Sequence, residues 1–196
     1  MKRRIIGITG GIGSGKSEVT AYLRRRGERV ICADEVARQV VRPGSRGAEA
    51  VRSVFGDGFF LPGGALNRAK LAQRVFGDAN ALERLNAALH PVILEEIWAQ
   101  ASCIQGRVFI DAALLVETGM HKKVDAVWLI TADRETRIQR VMLRDDASRE
   151  AVEKRMEGQT DDESRMNAAD EVIDNSQEIS DLHRKIDALL KAYGEE

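Results

Sequence analysis

The stretch TGGIGSGKSE, Thr9–Glu18, decides how the rest of the chain is interpreted. Within it, Gly10–Ser17 match the phosphate-binding pattern G-x-x-x-x-G-K-[ST], whose glycines let successive backbone N–H groups point inward around a phosphate. Given average residue usage, a chance match in 196 residues has a probability on the order of one in a hundred. The pattern assigns Lys16 to the β- and γ-phosphate oxygens and the Ser17 hydroxyl to Mg²⁺.

The sequence on either side of this loop predicts a strand before it and a helix after it. Arg4–Thr9 is a short apolar run, too short for a helix, and Lys16–Arg26 repeats apolar residues at helical spacing before Gly27. The phosphate-binding pattern is meaningful only between a strand and a helix, so this context supports it.

Further apolar runs predict a parallel sheet of about five strands. The additional strands are predicted at Arg29–Cys32, Val108–Ile110, Ala126–Ile130 and Val172–Ile173. Between the second and third strands only helical patterns occur, at Ala48–Phe55, Arg68–Phe76, Ala79–Leu89 and Pro91–Ala101, the last with proline at its first position. Alternating strands and helices indicate an α/β fold with three layers, α/β/α, in which helices cover both faces of the sheet.

This order of elements predicts three parts of the chain. The nucleotide-binding core is expected at residues 1–33, 103–133 and 160–196, with a helical substrate-binding insertion at 34–102. Residues 134–159 are expected to form a lid that carries arginines.

Composition and charge restrict the classes of partner. The 30 basic and 31 acidic residues give a formal net charge of -1, so no overall field favours nucleic acid or anionic lipid. No run approaches the roughly 20 apolar residues of a membrane span. Cys32 and Cys103 lie far apart and form no CxxC pair, which is typical of reduced thiols in the cytoplasm. We therefore expect a cytoplasmic protein with no nucleic acid, membrane or obligate protein partner.

Two aspartates directly follow predicted strands and should lie at one edge of the sheet. Asp34 could orient an acceptor hydroxyl and accept its proton during phosphoryl transfer, or cap the helix that runs to Pro43, and the two roles are compatible. Asp111 resembles the acidic residue that holds Mg²⁺ in phosphate-loop enzymes, with a purely structural partner as the alternative.

Four arginines fall on one predicted helix, namely Arg134, Arg137, Arg140 and Arg144. The last three share a face, because they are spaced by three and four residues. Such a stripe is usually a solvated face, but beside a phosphate loop it is typical of a lid that closes over the transferring phosphoryl group. We interpret Arg140 and Arg144 as the lid arginines.

Other classes of nucleotide-binding protein lack support in the sequence. A guanine-specific switch would need an Asn-Lys-x-Asp motif and an Asp-x-x-Gly after a strand, and neither is present. The three histidines have no metal-ligand spacing, so no zinc site is predicted. The remaining rivals are a small-molecule kinase and a regulator that binds nucleotide without transferring phosphate to a small acceptor.

Taken in order, the segments GITGGIGSGKS, VICADEVAR, FGDGF, LNRAKL, LNAALHPVI, ALLVE, RVMLRDD and ADEVIDN resemble the dephospho-CoA kinase family over about residues 5–190. The resemblance implies ATP-dependent phosphorylation of the ribose 3′-hydroxyl of dephospho-CoA, the last step of coenzyme A synthesis, with ATP as co-substrate and Mg²⁺ as cofactor. A nucleoside or nucleoside-monophosphate kinase, which would share the core and the lid, is the alternative.

The resemblance also implies the site residues, carried over by position. The residues that bind ATP would be Gly11, Gly13, Ser14, Gly15, Lys16, Ser17, Glu18 and Arg144. The catalytic residues would be Asp34, Lys16 and Arg140, and the metal ligands Ser17 and Asp111. The substrate-binding residues would be Asp34, Arg68, His90, Leu115 and Arg140, although His90 could equally be a helix entry before Pro91. Residues that depart from the usual family pattern are Glu18, Cys32, Ala113, Arg137 and Ser176, and Glu18 is expected to point outward.

Overall fold

Residues 3–158 and 162–194 are described by the computed structural model. Its strands form one sheet in the order β2-β3-β1-β4-β5. They are β1 (Arg4–Thr9), β2 (Arg29–Cys32), β3 (Arg107–Asp111), β4 (Ala126–Thr131) and β5 (Glu171–Asp174). Strand β1 pairs in parallel with β3 and β4, and β4 pairs in parallel with β5. The predicted α/β fold with a parallel sheet of about five strands is confirmed.

Helices connect these strands. They are α1 (Lys16–Arg25), α2 (Ala33–Gln39), α3 (Arg46–Phe55), α4 (Arg68–Val75), α5 (Ala79–Ser102), α6 (Arg134–Asp145), α7 (Arg149–Glu157), α8 (Asp162–Asn167) and α9 (Ile179–Ala192). Short 3₁₀ turns occur at Asp57–Phe59 and Met120–Lys123. Across the described ranges, the helices are too short or too polar to span a lipid bilayer.

The chain divides into two compact units. Unit 1 comprises Met1–Val30 and Ile104–Glu196, and unit 2 comprises Ile31–Cys103. The predicted insertion at 34–102 differs from unit 2 by three residues at its start and one at its end. The predicted boundary between the lid and the core, at residues 159 and 160, lies outside the described residues, as do residues 1–2, 161 and 195–196 of the predicted core.

The core of unit 1 lies between one face of the sheet and helices α1 and α9. Because side chains alternate along a strand, Ile6 and Ile8 of β1 face this side. They belong to a buried cluster to which α1 contributes Val19 and Leu23, the strands contribute Phe109, Trp128, Ile130 and Ile173, and α9 contributes Leu182, Ile186 and Leu190. This packing fixes the start of α1, and with it the loop that precedes the helix.

Helix α5 is the centre of unit 2 and packs against α2, α3 and α4. The prediction of two helices here, with the second starting at Pro91, is wrong, because α5 is continuous from Ala79 to Ser102 with Pro91 inside it. A proline in a helix interior costs about 3 kcal/mol through one lost hydrogen bond and a clash. Contacts with three neighbouring helices, and buried residues such as Ile97 and Ala101, offset that cost.

Helix α2 begins one residue earlier than its predicted cap. Cys32 is the N-cap and makes no side-chain capping bond, so the predicted capping role of Asp34 is wrong. Asp34 instead lies in the first turn, where its charge interacts favourably with the positive end of the helix. The regular helix ends at Gln39, before Pro43.

Candidate active site

The phosphate loop joins β1 to α1 and makes two turns that require glycine. Gly13 and Gly15 have φ angles of 77° and 88°, in the left-handed region. A Cβ on Gly13 would lie 2.5 Å from the carbonyl oxygen of Arg137, and a Cβ on Gly15 would lie 2.0 Å from Nδ2 of Asn175. The loop backbone is therefore in direct contact with α6 and with the residue that follows β5.

The loop also presents open hydrogen-bond donors at the start of α1. Gly15 is the N-cap of α1 and has no side chain to satisfy the first N–H groups of the helix. Within residues 3–158 and 162–194, the N–H groups of Gly13 and Gly15 donate to no protein acceptor. Together with the positive end of α1, these donors make a binding site for an anion such as phosphate.

Two adjoining cavities surround the loop. The first, of about 370 Å³, is lined by Gly10–Ser17 and by Ala113, Arg140, Val141 and Arg144. The second, of about 440 Å³, shares Gly15, Ser17 and Arg140 with it and extends along Glu18, Asn175, Gln177 and Ile179. Both volumes lie in the usual range for small-molecule sites. The structure thus brings the residues expected to bind ATP together around connected space.

Lys16 and Asp111 form an ion pair beside the loop. Asp111 ends β3, and the register of β3 on β1 places it opposite Ile8, just before the loop begins. The two side chains are only 19% and 9% exposed, so the pair is poorly screened by water. The structural partner considered for Asp111 therefore exists, and it is the lysine of the loop itself.

Arg137 does not face solvent with the other arginines of α6. It is 6% exposed, its Nε donates to the carbonyl oxygen of Ile12 at 3.0 Å, and its Nη1 donates to the Asp162 carboxylate at 2.8 Å. The expected common face of Arg137, Arg140 and Arg144 is therefore not a solvated stripe. Nearby, Ile12 packs against a small apolar cluster built on Ile138 of the same helix.

Arg140 and Arg144 both line the first cavity but are held differently. One terminal nitrogen of Arg140, Nη2, donates to the carbonyl oxygen of Asn175 at 2.9 Å. Its other terminal nitrogen, Nη1, is buried and finds no acceptor in the described part of the chain. Arg144 is 61% exposed, and its hydrogen bonds to Asp145 raise the pKa of its guanidinium. Arg140 is thus fixed in place, whereas Arg144 is paired at the surface.

Glu18 is engaged by two side chains. Its Oε1 accepts a hydrogen bond from Arg25 at 2.7 Å and lies 3.1 Å from Nε2 of His183. The Arg25 hydrogen bond is the main reason that the pKa of Glu18 is lowered. The imidazole of His183 in turn stacks on Tyr22, with the ring centroids 3.9 Å apart. The negative charge of Glu18 is therefore compensated within the protein.

Leu115, which the sequence analysis expected to bind the substrate, lines neither of the two cavities that surround the loop. Its side chain is fully buried. It covers Gly7 of β1 so closely that a Cβ there would lie 2.6 Å from Cδ2 of Leu115. Its neighbour Leu114 is 52% exposed instead. Gly7 lies between Ile6 and Ile8 in β1, so Leu115 covers the second face of the sheet at this point.

The remaining predicted substrate residues lie in unit 2. Asp34 is exposed in α2, Arg68 is exposed at the start of α4, and His90 is half-buried within α5. Arg68 donates from Nη2 to the carbonyl oxygen of Arg38 at 3.0 Å. Because α5 packs against both α2 and α4, these elements belong to one packed group. The position of His90 inside α5 removes the alternative that it marks a helix entry.

Asn175 is a site residue that the sequence analysis missed. It follows β5 directly, is 6% exposed, and donates from Nδ2 to the carbonyl oxygen of Ser14 at 2.8 Å. Its own N–H donates to the carbonyl oxygen of Thr131 at 2.8 Å, which fixes its backbone. A polar residue at the carboxyl end of a parallel strand was the available signal, the same one that identified Asp34 and Asp111.

The side chains near the loop that could ligate a metal carry oxygen atoms, which suit Mg²⁺ better than a transition metal. No group of three or more His, Cys, Asp or Glu side chains that could hold a metal is present in residues 3–158 and 162–194. Mg²⁺ typically takes only one or two oxygen ligands from the protein, and completes its shell with phosphate and water. The Ser17 hydroxyl and the Asp111 carboxylate are oxygen groups of the type that Mg²⁺ prefers.

Comparisons with known proteins identify the family to which the sequence is similar. The model of the dephospho-CoA kinase family matches residues 4–181. The dephospho-CoA kinase of Geobacter sulfurreducens is 40% identical over 190 residues, which cover 94% of this chain and 96% of that protein. The crystal structure of TT1252 from Thermus thermophilus superposes with a TM-score of 0.82 at 34% identity, covering 98% of both chains.

A second solved structure has a similar fold. The dephospho-CoA kinase from Campylobacter jejuni has a TM-score of 0.70 and 22% identity, and the match covers 99% of each chain. The fold is thus retained where the sequences have diverged widely. From the family model and the relatives at high coverage, this chain belongs to the dephospho-CoA kinase family.

Proposed function

We propose that this chain transfers the γ-phosphoryl group of ATP to the ribose 3′-hydroxyl of dephospho-CoA, giving coenzyme A and ADP. The observation that carries the nucleotide part is the loop at the start of α1, with its open N–H groups, Lys16 and two adjoining cavities. The choice of acceptor rests on membership of the family. The same proposal assigns the chain to the cytoplasm, where thiols such as those of Cys32 and Cys103 stay reduced.

ATP binding would use the loop for the phosphates and the second cavity for the nucleoside. The N–H groups of Gly13 and Gly15 would donate to phosphate oxygens, and Lys16 would exchange Asp111 for the β- and γ-phosphates. Exposed Ile179 and the amide of Gln177 line the second cavity and offer an apolar surface and hydrogen bonds to a purine. A charged ligand would thus replace one ion pair of Lys16 with another.

Ser17 and Asp111 would hold magnesium. The ion, when bound, neutralises charge on the β- and γ-phosphates. Release of Asp111 from Lys16 would leave its carboxylate available to the ion, either directly or through water. Binding of the nucleotide with its ion would therefore separate Lys16 from Asp111. Lys16 would then pair with phosphate, and Asp111 with the ion.

The acceptor would be activated by Asp34. Its exposed carboxylate would accept the proton of the 3′-hydroxyl as the oxygen bonds to the γ-phosphorus and the bond to ADP breaks. Arg68 and His90 would contact the substrate from α4 and α5. These roles are proposals from the family pattern, supported by the exposure of Asp34 and Arg68 and by the packing of α5 on α2 and α4.

The arginines of α6 would stabilise the charge that develops in transfer. Arg140 is already fixed beside the loop, with Nη1 lacking a protein acceptor in the described ranges, so it would act from a preset position. Arg144 would first leave Asp145 and then close over the phosphates. The two arginines would therefore contribute at different stages of closure.

A coupled assay of ADP release tests the function. The purified protein is supplied with Mg-ATP and, in separate reactions, dephospho-CoA, a set of nucleosides and a set of nucleoside monophosphates. We expect rapid ADP release with dephospho-CoA alone. Preference for a nucleoside or a nucleoside monophosphate would instead identify a kinase of another acceptor. Slow ATP hydrolysis that no small acceptor accelerates would indicate a nucleotide-binding regulator.

A further inference from the structure

Two carbonyl groups of the phosphate loop are held by side chains from distant parts of unit 1. The carbonyl oxygen of Ile12 accepts from Nε of Arg137 at 3.0 Å, and that of Ser14 accepts from Nδ2 of Asn175 at 2.8 Å. Both donor residues are 6% exposed, so water competes little for these bonds. The two carbonyls precede the two glycines with open N–H groups, Gly13 and Gly15.

The geometry of the peptide bond links these contacts to phosphate binding. No cis peptide bond occurs in the described part of the chain, so the Ile12–Gly13 and Ser14–Gly15 peptides are trans. In a planar trans peptide the N–H points opposite to the C=O. A side chain that fixes the carbonyl on one side therefore aims the following N–H to the other side, and holds it there before a ligand arrives.

We propose that Arg137 and Asn175 are positioning residues that preset the N–H groups of Gly13 and Gly15 for phosphate. This inference rests on the proposed function for its ligand, a nucleotide phosphate. Asn175 also accepts a hydrogen bond from Arg140 through its main-chain carbonyl, so one residue fixes a loop donor and a lid arginine together. Arg137 thus acts on the backbone of the loop, and not as a further charge of the lid.

Substitution at Arg137 separates this role from a structural one. In glutamine, Nε2 occupies the same place along the side chain as Nε of arginine, so Arg137→Gln keeps a donor for Ile12 and loses the pair with Asp162. Arg137→Met loses both contacts. If the Asp162 pair were the important contact, the two variants would behave alike. At the other carbonyl, Asn175→Asp keeps the shape of the side chain and places an acceptor against the Ser14 oxygen.

The affinity for Mg-ADP, measured by isothermal titration calorimetry, tests the inference. We expect Arg137→Met and Asn175→Asp to weaken binding by about tenfold or more, because each misorients a donor to a charged group. Arg137→Gln should stay within about twofold of the parent. The control Arg134→Met should also stay within about twofold of the parent. Arg134 lies on the same helix as Arg137, and the substitution removes its exposed ion pair with Glu153 of α7.

Equal affinities for Arg137→Gln and Arg137→Met, or parental affinity in Asn175→Asp, would overturn the inference. If Asn175→Asp fails to fold, the two Arg137 variants still decide the matter. No acceptor is present in the titration, so the result is independent of the proposed reaction. A parent that binds Mg-ADP but does not phosphorylate dephospho-CoA would refute the function and leave the positioning role intact.

Discussion

Replacing Lys16 by methionine should destabilise the protein even without a nucleotide. Methionine keeps the apolar stem and removes the charge, which leaves the Asp111 carboxylate without its ion-pair partner. Removing one partner of a buried pair costs about 3–5 kcal/mol. Because the two side chains retain 19% and 9% exposure, we take the lower value, about 3 kcal/mol. For 196 residues this corresponds to a fall in Tm of about 6–12 °C.

Differential scanning calorimetry of four proteins checks this reasoning. The double variant Lys16→Met/Asp111→Asn should recover at least about half of the lost Tm, because it removes the unpaired charge. The control Arg149→Met breaks an ion pair with Glu135 whose side chains are 44% and 51% exposed, and should lower Tm by less than about 3 °C. A Lys16→Met protein as stable as the parent, or a double variant no more stable than the single one, would refute the account of this pair.

Three further substitutions test separate parts of the site. Asp34→Asn should lower turnover of dephospho-CoA by at least about a hundredfold with little change in ATP affinity, as measured by steady-state kinetics, because it removes the proposed base. Gly15→Ala should abolish detectable Mg-ADP binding in calorimetry, because its Cβ would lie 2.0 Å from a side-chain nitrogen, whereas Gly27→Ala, at a similar φ of 85° with no atom within 4 Å, should bind normally. Glu18→Gln should flatten the acid limb of a plot of Tm against pH. The lowered pKa of Glu18 stabilises the fold above its unfolded value near 4.5, and this stability is lost as pH falls through the folded pKa.

Each of these predictions has an outcome that would contradict it. Near-normal turnover of Asp34→Asn would remove that residue from the chemistry. Parental nucleotide affinity in Gly15→Ala would show that the loop accommodates a Cβ at this position. An unchanged acid limb in Glu18→Gln would show that its bond with Arg25 adds nothing to stability.

The parts of the site that were predictable from the sequence are those in which neighbouring residues set the structure. The strand Arg4–Thr9, the loop and the start of α1 follow from apolar periodicity and glycine spacing within one short stretch. Asp111 could be placed near the loop because the carboxyl ends of parallel strands meet at one edge. Its pairing with Lys16 could not be predicted, because no sequence rule distinguishes a metal ligand from an ion-pair partner.

The parts that were missed depend on tertiary contacts. Asn175 reaches the loop from 161 residues away in the chain, and only the folded sheet brings the two together. Arg137 has the spacing of a lid arginine, but the close approach of α6 to Gly13 turns its guanidinium to the loop backbone. Pro91 suggested a helix start, and the packing of α5 on α2, α3 and α4 overrides that local preference.

The two tryptophans lie in different units, so their fluorescence can report on each unit separately. Trp128 is fully buried in the core of unit 1, and Trp98 lies in α5 of unit 2. The chain contains two tryptophans in all, so a phenylalanine at either position leaves a single indole whose emission reports on one unit. Fluorescence can therefore show whether unit 1 and unit 2 unfold in one cooperative step or one after the other, without any added dye.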